Sequence, residues 1–140
     1  MANISNSDTM FVQTGSMQGE KRYILEISGD IADFFEEKRK VDTNIHIDYK
    51  GRTYWDQKLS FKNRKNYAPQ WRVFLPREFS GFSDQFYQYK WVRFDKEDGP
   101  QGTQYALTVR DQDDPVVDDW RDRAIGGIRT TGGGREFGFF

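Results

Sequence analysis

The chain has 140 residues, of which 36% are hydrophobic and 31% charged, with a formal net charge of −1, no cysteine and one histidine. That length suits one domain around a single core, and the missing cysteines exclude disulfides and thiolate metal ligands while a lone His46 leaves little for an imidazole centre. No run approaches the roughly 20 apolar residues that span a bilayer, and no charged start leads into an apolar stretch, so the expectation is a soluble protein of the cytoplasm, or a virion component.

Residues 1–19 are polar and rich in small side chains, which reads as a flexible arm unless a partner strand holds Met10 to Val12. Tyr23 to Ser28 is short, β-branched and half-alternating, and predicts a strand closing at Gly29. In Asp30 to Lys40, Ile31, Phe34 and Phe35 recur at i, i+3 and i+4, the stripe of a short amphipathic helix. Acidic residues early and basic ones late match its dipole.

Asn44 to Tyr49 alternates strictly, Lys50-Gly51 supplies a turn, and Arg52 to Phe61 continues extended, so a β-hairpin is predicted. Its inward set is Ile45, Ile47, Tyr49, Trp55, Leu59 and Phe61, which leaves Arg52, Tyr54 and Lys58 on the other side. A polar loop, Lys62 to Gln70, leads to a strand Trp71 to Leu75 that Pro76 ends. Gln85 to Asp95 and Thr103 to Arg110 form a second hairpin around Glu97 to Gly102, with Tyr87, Tyr89, Trp91 and Arg93 on one face and Phe86, Val92 and Phe94 on the other. Residues 111–140 read as a tail, first acidic, then rich in glycine and aromatics, with room for a short helix at Val117 to Ile125. The fold expected is mainly β, an antiparallel barrel or pseudobarrel over residues 20–110 with one short α-helix and flexible termini.

Charge is segregated along this order. Residues 50–94 hold ten Lys or Arg against three acidic side chains, and the remainder holds eleven against nineteen. The same block contains thirteen of the twenty-three aromatics. Cations gain by releasing counterions from phosphates and flat rings stack on bases, so nucleic acid is the expected partner. The candidate contacts are Arg52, Lys58, Lys62, Asn63, Arg64, Lys65, Asn66, Tyr67 and Arg72, with the cations on phosphates and the asparagines within reach of base edges. The row Tyr87, Tyr89 and Trp91 offers either a stacking platform or, as alternating aromatics in strands usually do, core.

Other chemistry has a weaker footing. Glu36-Glu37-Lys38 contains a Glu-x-Lys fragment of the kind nucleases use to hold a metal, but on a helix rather than a strand, and Asp111, Asp113, Asp114, Asp118 and Asp119 lack the glycine and terminal glutamate of a calcium loop. An acidic tail that competes for the basic face or aids solubility is the simpler role. No catalytic residue, metal or cofactor is therefore assigned, and His46 is read as structural. The ending Phe137, Phe139 and Phe140 serves either as a docking peptide, for a protein partner or a second copy, or as a flap over its own barrel.

From Tyr54 to Phe94, the succession Trp55, Lys58-Leu59-x-Phe61-x-Asn63, Trp71-x-Val73-Phe74-Leu75-Pro76-x-Glu78-Phe79 and Tyr89-x-Trp91-Val92-x-Phe94 resembles the B3-like DNA-binding domain of plant transcription factors and restriction endonucleases. The resemblance implies an open seven-stranded pseudobarrel gripping duplex DNA in the major groove, with Arg52, Lys58, Arg64 and Lys65 on one DNA-facing arm. The acidic, glycine-rich ending has no counterpart in that pattern. The reading is a non-enzymatic nucleic-acid-binding domain, with double-stranded DNA as partner. Its alternative is an assembly subunit of phage or filament type, whose arm and tail insert into neighbouring copies while opposite charges meet.

Overall fold

Alternating apolar residues draw most of this chain into one sheet. The computed structural model describes residues 7–35, 42–62, 70–81, 85–100, 102–131 and 133–140. Among them nine strands follow in chain order: β1 (Thr9–Gln13), β2 (Ile24–Ile27), β3 (Thr43–Tyr49), β4 (Arg52–Lys62), β5 (Gln70–Phe74), β6 (Lys90–Gly99), β7 (Gly102–Asp111), β8 (Arg129–Thr130) and β9 (Glu136–Phe139). Helix α1 (Gly29–Phe34) lies between β2 and β3, and α2 (Val116–Arg123) between β7 and β8. The hydrogen-bonded order is β2-β5-β4-β3-β7-β6-β1-β9-β8.

The fold is mainly β, as expected, but the sheet is mixed and curls into a half-barrel. Every strand pair is antiparallel except β3 with β7, where Ile47 lies beside Tyr105 in parallel register. Parallel neighbours need a long crossover, and here the excursion through β4, β5 and β6 supplies it. The two predicted hairpins form as β3–β4 and β6–β7, the second pairing over its full length from Lys90↔Asp111 to Gly99↔Gly102.

Helix α1 lies against the main core. Its Ile31 and Phe34, and Phe35 just after it, are buried as the i, i+3, i+4 spacing predicted. Phe35 meets Tyr105 at 4.9 Å and Phe94 at 5.4 Å between ring centroids, and Phe34 meets Phe139 at 6.2 Å. The predicted helix continued to Lys40, and residues 36–41, with the Glu36-Glu37-Lys38 fragment, lie outside the described residues.

The ends of the chain differ from expectation. Residues 9–13, read as a flexible arm unless a partner strand held Met10 to Val12, are held by two: they form β1 between β6 and β9, with Met10, Phe11 and Val12 at 0%, 0% and 1% exposure. In the tail read over 111–140, the short helix allowed at Val117 to Ile125 forms as α2, and β8 and β9 add strands that were not expected, with Phe137 and Phe139 buried in the main core. Of the two roles considered for the terminal aromatics, the chain therefore covers its own sheet. Both faces of β1 and β6 are consequently buried: Met10, Val12, Val92 and Phe94 point into the main core, while Phe11 and Trp91 form a second core with Val117 and Trp120 of α2. Thus Trp91 is core, as is Tyr87, whose hydroxyl donates to the Pro76 carbonyl at 2.7 Å. Tyr89 alone of that row is exposed, in the turn before β6, so the three make no platform.

The pattern Phe137-Gly138-Phe139 follows from this arrangement. Gly138 sits opposite Phe11, and a Cβ there would lie 2.7 Å from the Phe11 ring and 3.1 Å from the Ala124 methyl. Gly138→Ala is expected to cost about 1–3 kcal/mol by overpacking, to be read from the urea midpoint.

The acidic segment acts locally. Asp114 Oδ1 accepts the Val116 N–H at 3.0 Å at the start of α2, Asp118 and Asp119 occupy its first turn, and Arg121 and Arg123 its last, which suits the helix dipole. Asp111 bonds Lys90, and Asp114 pairs with Arg110. Among the described residues none of these aspartates reaches the predicted basic contacts. No helix of the described residues is long and apolar enough to cross a membrane.

Candidate nucleic-acid interface

Strand β4 carries the site, and a bulge in it decides which side chains face outward. Ile45 of β3 pairs with Gln57 and Ile47 with Tyr54, so Trp55 and Asp56 together stand opposite His46. Asp56 adopts φ 60°, the left-handed conformation that aspartate tolerates better than branched residues. An extra residue inverts the alternation on one side of a bulge. Tyr54 accordingly packs against the core, and Trp55, predicted inward, is 43% exposed. His46 pins the bulge: its Nδ1 accepts the Asp56 N–H at 3.3 Å, and its ring meets the Trp55 ring at 4.9 Å.

Beyond the bulge the alternation is regular. Leu59 is buried and Phe61 packs against the core with Trp71, at 4.8 Å between rings. Lys58, Ser60 and Lys62 therefore take the other face. On β5, Val73 and Trp71 are buried, which puts Arg72 outward beside Ser60, and Gln70 beside Lys62. Lys58 Nζ lies 5.7 Å from the Phe74 ring centre. Trp55, Lys58, Lys62 and Arg72 thus share one outward face of β4 and β5.

The remaining predicted contacts divide. Asn63, Arg64, Lys65, Asn66 and Tyr67 lie outside the described residues. Arg52 is described but stands at the far end of β4, about 30 Å from Lys62 at strand rise, where it pairs with Glu78 at 3.4 Å and covers the Tyr54 ring. Tyr54 also donates to Glu78. Arg52 is therefore part of the hairpin end and not of the basic face, because the two stand at opposite ends of an eleven-residue strand.

Carboxylates of the chain temper the positive charge. Lys58 pairs with Asp42 at 3.4 Å, and Arg72 approaches Glu26 at 3.9 Å while donating from Nε to Gln70 Oε1 at 3.1 Å. Lys62 is exposed and makes no ion pair among the described residues. The Phe61 N–H, donating to Asp42 Oδ1 at 2.9 Å, and then Lys58 hold the Asp42 carboxyl below its ordinary range. It is ionised at neutral pH and competes for Lys58 with any incoming phosphate. Such half-exposed pairs contribute only about 0–1 kcal/mol, so a phosphate can displace them. Asp42→Asn keeps an acceptor for the Phe61 N–H and releases Lys58. If the face binds polyanions, this variant should bind about two- to fivefold more tightly, as fluorescence anisotropy would show.

Trp55 is the functional candidate that strand alternation misses. The available signal was Asp56, an aspartate inside an otherwise β-forming run, since aspartate is depleted in strands and enriched in left-handed positions. Among the described residues no group of three or more His, Cys, Asp or Glu is arranged to hold a metal ion. No family model, no characterised protein and no solved structure matches this chain.

Proposed function

We propose that this protein binds nucleic acid, with double-stranded DNA as its partner, on the outward face of β4 and β5. The observation that carries the reading is the placement of Trp55. Trp71, Trp91 and Trp120 are 7%, 3% and 2% exposed, whereas the bulge presents Trp55 to solvent in one row with Lys58 and Lys62. An exposed indole beside cations is the pairing that nucleic acid rewards, through stacking or sugar contact on one side and phosphate neutralisation on the other. Lys58, Lys62 and Arg72 then contact phosphates, and Trp55 packs on a deoxyribose or an unstacked base. The chain segment 63–67, continuing directly from Lys62, adds Arg64 and Lys65 by sequence. The B3-like resemblance supports duplex DNA as the substrate form. The reading involves binding without catalysis.

Anisotropy titrations with duplex DNA, single-stranded DNA and RNA at two ionic strengths test this. The proposal expects tightest binding to duplex, weakening steeply with salt; equal, salt-insensitive values for all three would overturn it. An assembly subunit is the second reading, supported by a cleft of about 300 Å³ whose lining includes Asp113, Asp114, Asp118 and Glu136 with Arg121 as its one cation, a mainly acidic counterpart to the β4–β5 face. Light scattering separates the two: a monomer that grows only with DNA favours the first, and a salt-sensitive oligomer without DNA the second.

A further inference from the structure

The basic face extends past β5 into a cleft at the sheet edge. There a volume of about 490 Å³ opens beside β2, lined by Lys21, Arg22, Tyr23, Arg72 and Arg77, with Glu20 among the few other residues. Four cationic side chains against one carboxylate make it the most positive of the clefts described. Its size falls within the roughly 300–1,000 Å³ usual for small-molecule sites.

Two of the cations are held in place before any ligand arrives. Arg22, 5% exposed, donates from Nε to the Ser80 carbonyl at 2.6 Å and from an Nη to the Gly19 carbonyl at 3.0 Å. Arg72 is oriented by Gln70, as described above. The Tyr23 ring organises the rest: the guanidinium carbons of Arg22 and Arg77 lie 5.4 and 5.5 Å from its centre. Arg77 and Lys21 are exposed at the rim. Fixed guanidinium groups lose little freedom on meeting an anion, and their planar forks match phosphate oxygens. Like charges crowded in a cleft repel, and a bound anion reverses that sign.

We propose that this cleft is a phosphate subsite, receiving a phosphate ester of the nucleic acid that lies on the β4–β5 face. The inference rests on the binding reading above and deepens it, because Arg72 belongs to both surfaces. The shared chemistry is a phosphate, supplied either by a strand's 5′ end or by an internal diester. Lys21, Arg72 and Arg77 contact it, and Arg22 packs against Tyr23, the ring that also carries Arg77.

The test uses the full chain and the variant K21A/R77A, which alters only exposed side chains, in anisotropy titrations against duplexes with a 5′-phosphate or a 5′-hydroxyl. Thermal unfolding with sodium pyrophosphate at constant ionic strength runs alongside. A terminal phosphate predicts about five- to tenfold preference for the phosphorylated duplex that the variant loses. An internal diester predicts equal binding of both duplexes, each weakened about five- to tenfold by the variant. Either supports the cleft. Wild type and variant binding every duplex equally, with the same pyrophosphate response, would overturn it while leaving the β4–β5 face intact. If no duplex binds but pyrophosphate raises Tm in the wild type and not in the variant, the cleft stands and the nucleic-acid reading fails.

Discussion

Phe139→Ala is expected to destabilise the protein by about 3–5 kcal/mol, the range for removing a fully buried phenylalanine ring. The side chain is 1% exposed, and its ring meets Phe34 at 6.2 Å and Phe137 at 5.8 Å. It therefore ties the last strand to α1 and to the centre of the half-barrel. Small domains hold only about 5–15 kcal/mol in total, so the loss amounts to a large share of the stability. Chemical denaturation followed by circular dichroism would show the midpoint fall with an unchanged slope. A change under 1 kcal/mol would mean that β9 is not docked as described.

That prediction depends on a part of the fold that local patterns do not reveal. Ile31, Phe34 and Phe35 mark the inner face of α1 through spacing alone, and the β3–β4 hairpin follows from strict alternation about Lys50-Gly51. Short segments such as Thr9–Gln13 and Glu136–Phe139 carry too few residues to show a period. Their burial comes from partners distant in sequence: Thr9 Oγ1 donates to Asp95, 86 residues away, at 2.6 Å, and Phe11 pairs with Gly138. The glycines and aspartates that surround these strands then read as solvent-loving chain ends. At the candidate face, Lys62 was read as the start of a loop but ends β4, and Lys58 and Arg72 were legible because charged positions alternate with buried ones. Arg52 was not, since its distance from Lys62 depends on a strand staying extended for its whole length, and Trp55 was not, since one left-handed residue reverses its direction.

The largest effect on binding is expected from K58A/K62A/R72A. Each lost phosphate contact lowers the slope of log K against log salt by about 0.9, so three contacts remove about 2.7 units and weaken binding on the order of 100-fold near physiological salt. The variant should fold, because Lys58 and Lys62 are exposed and Arg72, among the described residues, makes a 3.9 Å ion pair and one side-chain hydrogen bond. A salt titration by anisotropy checks this, with circular dichroism confirming the fold. Arg52→Ala serves as the internal comparison. It removes a positive charge from the same strand but from the other end, where Glu78 already faces it, and should change the slope by less than a single phosphate contact.

Nucleic acid bound on the β4–β5 face lies against Trp55. Intrinsic tryptophan emission reports this directly, because the other three indoles are buried and Trp55 is exposed. Titration of the intact chain with duplex DNA should quench the emission as binding saturates, and Trp55→Phe should bind within a few-fold of wild type yet lose that quenching. Quenching that persists unchanged in Trp55→Phe, or DNA binding that leaves the wild-type emission unaltered, would place the ligand elsewhere on the molecule.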